Sequence, residues 1–299
     1  MDHREKIYGC LLGGAIGDCL GVPFEGRAPG AEYIIPSNWK LSDDTQLSLA
    51  TCEAISDSGA VDPEAVAARF TTWFKDSRLS GLGASTFKAL TELSHGGHWA
   101  LVGRKGEMAA GKGAAMRLAP IAFCLDPEDR EARVRIHDLC RITHHHEEAY
   151  VGALAVVIAV RAARDGAWRG GDGLLSTVIK SLPDSSVRDR LIDISEISDK
   201  VTLSLIAAQF GCTGYVVDSI PFALCGTERL GSAGFISVLK ELISAGGDTD
   251  TNASIAGQVM GTYLGQSRLP QSLVRQLPNL EQINWIIDRF VVTVANIGV

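Results

Sequence analysis

Positive charge is scarce in this sequence, and long apolar runs and paired cysteines are missing. The 299 residues include 28 Lys and Arg against 35 Asp and Glu, which gives a formal net charge of −7. Proteins that bind nucleic acid or an anionic membrane over a wide area need a broad cationic surface. The composition therefore argues against a broad nucleic-acid surface, and any phosphate-bearing partner must be bound locally.

The apolar runs are too short to suggest a membrane span. The longest, residues 151–160, has ten residues, about half of what a helix needs to cross the hydrocarbon core. The first residues are polar, and the apolar stretch after them is broken by glycines and contains Asp18, which is atypical of a secretory leader. We therefore expect no membrane partner and a cytoplasmic location.

The cysteines do not form a recognisable pattern. They are odd in number, widely spaced and never arranged as C-x-x-C, at positions 10, 19, 52, 124, 140, 212 and 225. This spacing suggests neither a disulfide framework nor a thiolate zinc site. We expect the cysteines to be small buried side chains of the core.

Helical periodicity dominates the chain. Asp62 and Pro63 are typical of an N-cap and a first helical position, and Val66, Phe70 and Trp73 then fall on one face. Asp126 and Pro127 repeat this start signal, and a stripe through Ile283, Phe290 and Ile297 indicates a C-terminal helix. Further helices are expected at about 4–20, 45–57, 82–94, 113–124, 146–164, 214–225, 231–245 and 250–264.

The hydrophobic fraction of 46% is enough for a large buried core and excludes a disordered chain. Strand signals are few, and we find no linker, composition shift or internal repeat. We therefore predict a single all-α domain over residues 1–299.

Glycines interrupt the first predicted helix. Gly13, Gly14 and Gly17 should each destabilise it by roughly 1 kcal/mol relative to alanine. Either another helix packs closely there, or backbone or a ligand approaches the helix end near Asp18.

Two clusters of short oxygen-bearing side chains each precede a predicted helix. They are Ser42-Asp43-Asp44-Thr45 and Gly246-Gly247-Asp248-Thr249-Asp250-Thr251. A helix needs only one such residue as a cap, and crowded carboxylates are unfavourable unless a cation neutralises them. The hard oxygen ligands favour Mg²⁺ or Mn²⁺ over zinc. If the clusters meet, they are sufficient for two ions, which could orient a substrate diol and activate a water.

The histidine run at 144–146 does not have the spacing of a zinc site, since H-x-x-x-H and H-E-x-x-H are both absent. We therefore do not predict zinc there.

Five motifs carry a family resemblance. In chain order they are the glycine-rich segment 9–18 with Gly21 and Glu25, Ser-Asp-Asp-Thr at 42–45, Gly-Lys-Gly-Ala-Ala-Met-Arg at 111–117, Thr143-His144, and Gly-Gly-Asp-Thr-Asp-Thr at 246–251. Together they closely resemble the ADP-ribosylglycohydrolase family, which contains dinitrogenase reductase-activating glycohydrolase. The last motif is the most specific of the five.

The resemblance implies an orthogonal helical bundle with two Mg²⁺ or Mn²⁺ ions in a cleft. The implied reaction is hydrolysis of the glycosidic bond between ADP-ribose and an acceptor, through an oxocarbenium-like transition state. Carried over by motif position, Glu25 and Asp44 are the acid/base candidates. The implied metal ligands are Ser42, Asp43, Asp44, Asp248, Asp250 and Thr251.

The same carry-over assigns the substrate contacts. The loop Gly111-Lys112-Gly113 would cradle the pyrophosphate, because we expect it to open a helix at Ala114 and helix N-termini bind phosphate well. His144 would line the nucleotide side of the cleft. The expected partner is an ADP-ribosylated protein or a small-molecule ADP-ribose conjugate.

Three positions depart from the pattern of the family. Ser42 stands where the family usually has Thr, and its hydroxyl can still coordinate a metal. Lys112 stands where Asn is usual, and its side chain would either add charge to the phosphate contact or turn to solvent. Ala84 stands where nitrogenase-regulating relatives have an acid, so the substrate or the detailed mechanism can differ.

The acceptor stays open between arginine, which we expect first, serine and free ADP-ribose derivatives. Two other classes of function also remain. The chain could bind ADP-ribose without turnover, as an inactive or crystallin-like relative would. It could instead be a metal phosphohydrolase that attacks the pyrophosphate and releases AMP.

Overall fold

The computed structural model describes residues 2–30, 33–197 and 201–298. Within these ranges the chain forms fifteen α-helices and only two very short strands, which confirms the predicted all-α class. The helices are α1 His3–Gly21, α2 Asp43–Ser58, α3 Pro63–Lys75, α4 Ala84–Ser94, α5 Arg130–Arg141, α6 Glu147–Asp165, α7 Leu174–Ser181, α8 Ser186–Ser195, α9 Leu203–Phe210, α10 Val216–Glu228, α11 Leu230–Ala233, α12 Phe235–Ser244, α13 Thr249–Leu264, α14 Gln271–Val274 and α15 Leu280–Ile297.

The two strands pair in parallel beside the third and fourth motifs. They are β1 Arg104–Lys105 and β2 His144–His145, and Arg104 pairs with His144. Short 3₁₀-helices cover Val22–Phe24, Glu107–Ala109, Ala115–Arg117, Ala119–Phe123 and Gln266–Arg268.

Three of the helix predictions need correction. Residues 113–124 form two 3₁₀-helices instead of one α-helix. The helix predicted at 231–245 divides into α11 and α12 at Gly234, where φ is 81° and an α-helix cannot continue. The start signal at Asp126 precedes the true N-cap of α5, because Asp129 accepts the hydrogen bond from the Ala132 backbone.

Close contact between α1 and α13 explains the glycines of the first helix. A Cβ atom built on Gly9, Gly13 or Gly17 would lie within 3.0 Å of the carbonyl oxygens of Gly261, Gly257 and Ala253, respectively. Residue numbers rise along one helix as they fall along the other, so the pair is antiparallel. The end of α1 therefore lies beside the start of α13, where a Cβ on Gly21 would clash with the backbone of Asp250. Of the two explanations considered for these glycines, helix packing is confirmed.

Helix α1 is also apolar along most of its length. The stretch His3–Phe24 is long and apolar enough to cross a membrane by length and composition alone, and 89% of its most apolar window is buried inside the structure. Burial on this scale is typical of a core helix, and α13 covers the glycine face of α1.

The remaining helices surround this pair. Helix α2 packs against α1, α3 and α15, and α6 lies against α10 and α13. All seven cysteines are buried, as the sequence predicted, and none of them forms a disulfide. This arrangement brings the starts of α2 and α13 to the same place.

Candidate functional site

The two acidic clusters meet, as the sequence predicted. The hydroxyl of Thr251, in the first turn of α13, donates a hydrogen bond to Asp44 Oδ2 at 3.0 Å. The hydroxyl of Ser42, the N-cap of α2, donates to the same oxygen at 3.1 Å. Asp44 thus joins two segments that are 207 residues apart in sequence.

Asp18, at the end of α1, holds the Ser42–Thr45 turn in place. Its fully buried carboxylate accepts hydrogen bonds from the Ser42 backbone at 3.1 Å and from the Thr45 hydroxyl at 2.5 Å. Burial raises the pKa of Asp18 to about 6, although these donors oppose the shift. Asp18 belongs to the first motif, but the sequence did not indicate that its role is to position the second.

Asp44 has one oxygen that no protein group satisfies. Its side chain is 1% exposed, and Oδ1 has no hydrogen-bond partner. A buried carboxylate oxygen without a donor is costly unless a cation binds it. This oxygen therefore fits a metal ion, and the carboxylates and hydroxyls around it are the ligands that Mg²⁺ and Mn²⁺ prefer.

Glu25 reaches the same cluster from the loop after α1. Its carboxylate lies within 4.8 Å of carboxylate oxygens of Asp248 and Asp250, close enough for the three to hold one metal ion. Glu25 is exposed, whereas Asp250 is buried. The structure thus brings this predicted acid/base residue to the open side of the predicted ligands.

Burial and mutual repulsion strongly disfavour the ionised forms of Asp43, Asp44 and Asp250. Burial raises the pKa of Asp43 to about 8, and burial with the nearby charge of Asp44 raises that of Asp250 to about 9. The pKa of Asp44 is also well above its ordinary value, mainly because the side chain is buried. A bound cation would reverse these shifts by stabilising the charged forms.

Lys112 points into this cluster, which the sequence did not predict. Its ammonium forms an ion pair with Asp248 Oδ1. Burial alone would lower the pKa of Lys112, but the charges of Asp248 and Asp44 outweigh burial and raise it. Burial would likewise raise the pKa of Asp248, but the nearby ammonium holds it below the ordinary value. Asp248 is therefore an ion-pair partner, and its side chain makes no capping hydrogen bond to α13.

The helix argument for the Gly111–Gly113 loop is wrong. The loop is followed by a three-residue 3₁₀-helix, Ala115–Arg117, which is too short for the phosphate site predicted at an α-helix start. The glycines instead leave room for the His144 ring: a Cβ on Gly111 would lie 3.1 Å from Nε2, and one on Gly113 would lie 2.8 Å from Cε1.

His144 is held in one orientation by Thr143 and Arg117. Arg117 Nη2 donates to Thr143 Oγ1 at 2.9 Å, and that oxygen lies 2.7 Å from His144 Nδ1. The Thr143 hydroxyl can accept from Arg117 and still either donate to Nδ1 or accept from it, so this chain fixes the orientation of the ring in either tautomer. Burial lowers the pKa of His144 to about 3, so the ring is neutral.

Arg117 also fixes the loop itself, because Nη1 donates to the Gly113 carbonyl. The side chain is completely buried, and burial lowers its pKa to about 10. The third and fourth motifs are thus joined by one hydrogen-bond chain.

Most of the predicted site residues line one cleft of about 240 Å³. It includes the predicted residues Glu25, Asp43, Asp44, Asp248, Asp250, Thr251, Gly111, Lys112, Gly113 and His144. Ser42 is not among the lining residues, but its hydroxyl donates a hydrogen bond to Asp44. Ala84, Ser85, Thr86 and Arg104 also line the cleft. The sequence assigned no role to Arg104, since a lone arginine on a short strand carries no recognisable signal.

Comparison with known proteins agrees with this geometry. The chain is 25% identical to human ADP-ribosylhydrolase ARH3, over 93% of this chain and 90% of that protein. It is 24% identical to ADP-ribosylarginine hydrolase Tri1 of Serratia proteamaculans, over 96% and 79%. It is 25% identical to ADP-ribosyl-[dinitrogen reductase] glycohydrolase of Rhodospirillum rubrum, over 92% and 90%.

Among solved structures, an ADP-ribosylglycohydrolase-related protein complex has the same fold. The TM-score is 0.75 at 23% identity, and the match covers 97% of this chain and 98% of that chain. The sequence model of the family described as ADP-ribosylglycohydrolase matches residues 1–296. With its two acidic clusters joined at Asp44, this chain belongs to the ADP-ribosylglycohydrolase family, and its enzyme class is that of a hydrolase.

Proposed function

We propose that the protein hydrolyses the bond between ADP-ribose and a side-chain acceptor, with arginine as the first acceptor, and that it needs Mg²⁺ or Mn²⁺. The observation that carries this proposal is the buried Asp44 Oδ1, which has no partner at the point where both acidic clusters meet. The arginine acceptor is supported by the likeness to the Serratia ADP-ribosylarginine hydrolase.

A bound divalent ion would supply positive charge that orients the ribose diol and favours attack on the anomeric carbon. Asp43, Asp44, Asp248 and Asp250, with the hydroxyls of Ser42 and Thr251, are the groups that would hold it. Their ligand atoms all come from the starts of α2 and α13 or the residues just before them, so the helix packing sets their spacing.

Proton transfer is the role we propose for Glu25. It stands at the exposed edge of the cluster, where its carboxylate can take a proton from an attacking water and give one to the leaving group. We assign this role to Glu25, with Asp44 as the other candidate, because Asp44 Oδ2 already accepts two hydroxyl hydrogen bonds.

The cleft also has groups that can recognise a nucleotide. Neutral His144 presents the Nε2 edge of its ring toward the Gly111–Gly113 loop, and the guanidinium of Arg104, on the neighbouring strand, provides charge for phosphate. We propose that Arg104, together with the loop backbone, replaces the helix N-terminus that the sequence led us to expect as the pyrophosphate contact.

The test is a panel of ADP-ribosylated arginine and serine peptides, with products identified by mass spectrometry in Mg²⁺, in Mn²⁺ and in chelator. We expect free ADP-ribose from the arginine peptide only when metal is present. Release of AMP would instead show pyrophosphate cleavage. Tight ADP-ribose binding without any release would show a binding protein, and either result would refute the proposal.

A further inference from the structure

Lys112 brings a fixed positive charge into the cluster proposed above to hold divalent metal. Its side chain is 12% exposed, and its ammonium is paired with Asp248, whose own side chain is 15% exposed. The nearby carboxylates of Asp44 and Asp250 also stabilise the ammonium. The lysine is therefore held as part of the cluster, rather than as a mobile surface residue.

The charge of the lysine changes the charge balance of the cluster. Asp43, Asp44, Asp248 and Asp250 carry four negative charges when ionised, and two divalent ions alone would balance them. With Lys112 included, two ions would raise the positive charge to five, one more than the carboxylates balance, whereas one ion gives three, one fewer, so the lysine removes the charge advantage of a second ion. Like charges held close together in a buried site repel strongly.

Contact geometry favours one ion over two. Neither Asp44 Oδ1 nor Asp248 Oδ1 accepts a hydrogen bond, but Asp248 Oδ1 forms an ion pair with the ammonium and Asp44 Oδ1 does not. One ion can bind Asp44 Oδ1 directly. A second ion bound through Asp248 Oδ1 would have to displace the lysine. We propose that Lys112 acts as a built-in cation in place of one divalent ion, so that the protein binds a single ion tightly. This inference rests on the proposed metal dependence.

The stoichiometry of Mn²⁺ tests this inference without any assay of activity. Native mass spectrometry and metal titration should give one tightly bound Mn²⁺ per chain, and electron paramagnetic resonance should show an isolated ion. Lys112→Ala removes both the charge and the side chain that fills the site. We expect it to bind a second Mn²⁺ about 100-fold more tightly than the parent and to show two exchange-coupled ions.

Two controls separate charge from other effects. Lys112→Arg keeps the positive charge, so we expect it to retain a single tight ion. Lys105→Ala removes an exposed lysine of β1 outside the cleft, and it should also bind one ion. Thermal melting of each variant in chelator shows that it is folded before titration.

Two equally tight ions in the parent protein would overturn the inference, even if Lys112→Ala failed to fold, and would leave the proposed hydrolysis intact. One ion in a folded Lys112→Ala would also overturn it. If neither the parent nor any variant bound Mn²⁺ or Mg²⁺, the metal dependence of the proposed function would fail as well. These results are therefore distinguishable.

Discussion

At the residue scale, the cleft contains similar carboxylates in different environments. Asp250 is buried among other acids, so its ionised form needs a cation, and its pKa is raised to about 9 by burial and Asp44. Glu25 is exposed at the edge of the same cluster. A buried acid near Asp44 Oδ1, which has no hydrogen-bond partner, suits metal binding. An exposed acid suits proton exchange with water and substrate.

Asp250→Asn and Glu25→Gln separate these two roles, because each keeps the shape and removes the charge. We expect Asp250→Asn to weaken Mn²⁺ binding and turnover together, with partial rescue at high Mn²⁺. It should not destabilise the metal-free protein, because the buried carboxylate is unfavourable when ionised. Glu25→Gln should leave metal affinity nearly intact and lower turnover by about 10²–10⁴-fold.

Metal titration and steady-state kinetics on both variants give the answer. If Glu25→Gln lost metal binding, Glu25 would be a ligand. If Glu25→Gln were as active as the parent, Asp44 would become the leading candidate for proton transfer.

Gly113 provides a second test at the residue scale, since it lies against the His144 ring. A methyl group at Gly113 would come within 2.8 Å of Cε1, so we expect Gly113→Ala to displace the ring and weaken ADP-ribose binding about tenfold, or about 1.4 kcal/mol. Gly83→Ala is the matched control, because Gly83 also lines the cleft but a Cβ there meets nothing within 4 Å. Calorimetry on both should show loss only in Gly113→Ala, and equal losses would contradict the assignment.

Particular residues also show how much of the site could be predicted from the sequence alone. Crowded acids before two helices indicated bound cations, and the ligand set implied by the family resemblance predicted that the two clusters would meet. The direction of Lys112 could not be predicted, because a lysine between two glycines reaches either solvent or a neighbour, depending on tertiary packing. Arg104 and the positioning role of Asp18 depend on contacts between distant segments, which no local pattern encodes.

At the element scale, strong periodicity and capping signals predicted the helices most reliably. Helices α1 and α6 lie within a residue or two of their predicted bounds, and α3 begins at the predicted Pro63. The missed helices α7, α8, α9 and α14 have at most ten residues each, which is too short for a stripe to repeat. The predicted helix at 113–124 failed because its apolar residues are buried on all sides, so composition resembled a core helix while packing favoured 3₁₀ turns.

The antiparallel α1–α13 pair gives the prediction that belongs to this scale. Gly13→Ala should raise intrinsic helix propensity but force the helices apart, because the new methyl group meets the Gly257 carbonyl. We expect a net loss of about 1–3 kcal/mol in the free energy of unfolding, the usual range for overpacking. Metal affinity should fall too, because the two helix ends carry Asp18 and Asp250.

Urea unfolding and Mn²⁺ titration measure both effects. Gly171→Ala is the control, since a Cβ there meets nothing within 4 Å, and it should change stability by less than about 0.5 kcal/mol. A Gly13→Ala protein as stable as the parent would show that the two helices can separate freely.

At the scale of the whole molecule, stability and metal binding are linked through protons. The folded, metal-free protein holds Asp43 and Asp250 with pKa values of about 8 and about 9, whereas in the unfolded chain both should titrate near 3.9. Between these values the folded state binds more protons than the unfolded state. Its stability therefore falls as the pH rises through that window.

Metal reverses this dependence, because a divalent ion binds the deprotonated carboxylates and releases their protons. Melting temperatures measured in chelator should decrease from pH 6 to pH 9, and those in saturating Mg²⁺ should decrease less, so the stabilisation by Mg²⁺ should grow with pH. Titrations remote from the cleft affect both series equally and cancel in the difference. In Asp250→Asn one of these protons is absent, so the difference between the melting temperatures in Mg²⁺ and in chelator should be smaller and less dependent on pH. If the difference between the melting temperatures in Mg²⁺ and in chelator were the same at pH 6 and pH 9 in the parent, these carboxylates would not be the metal ligands.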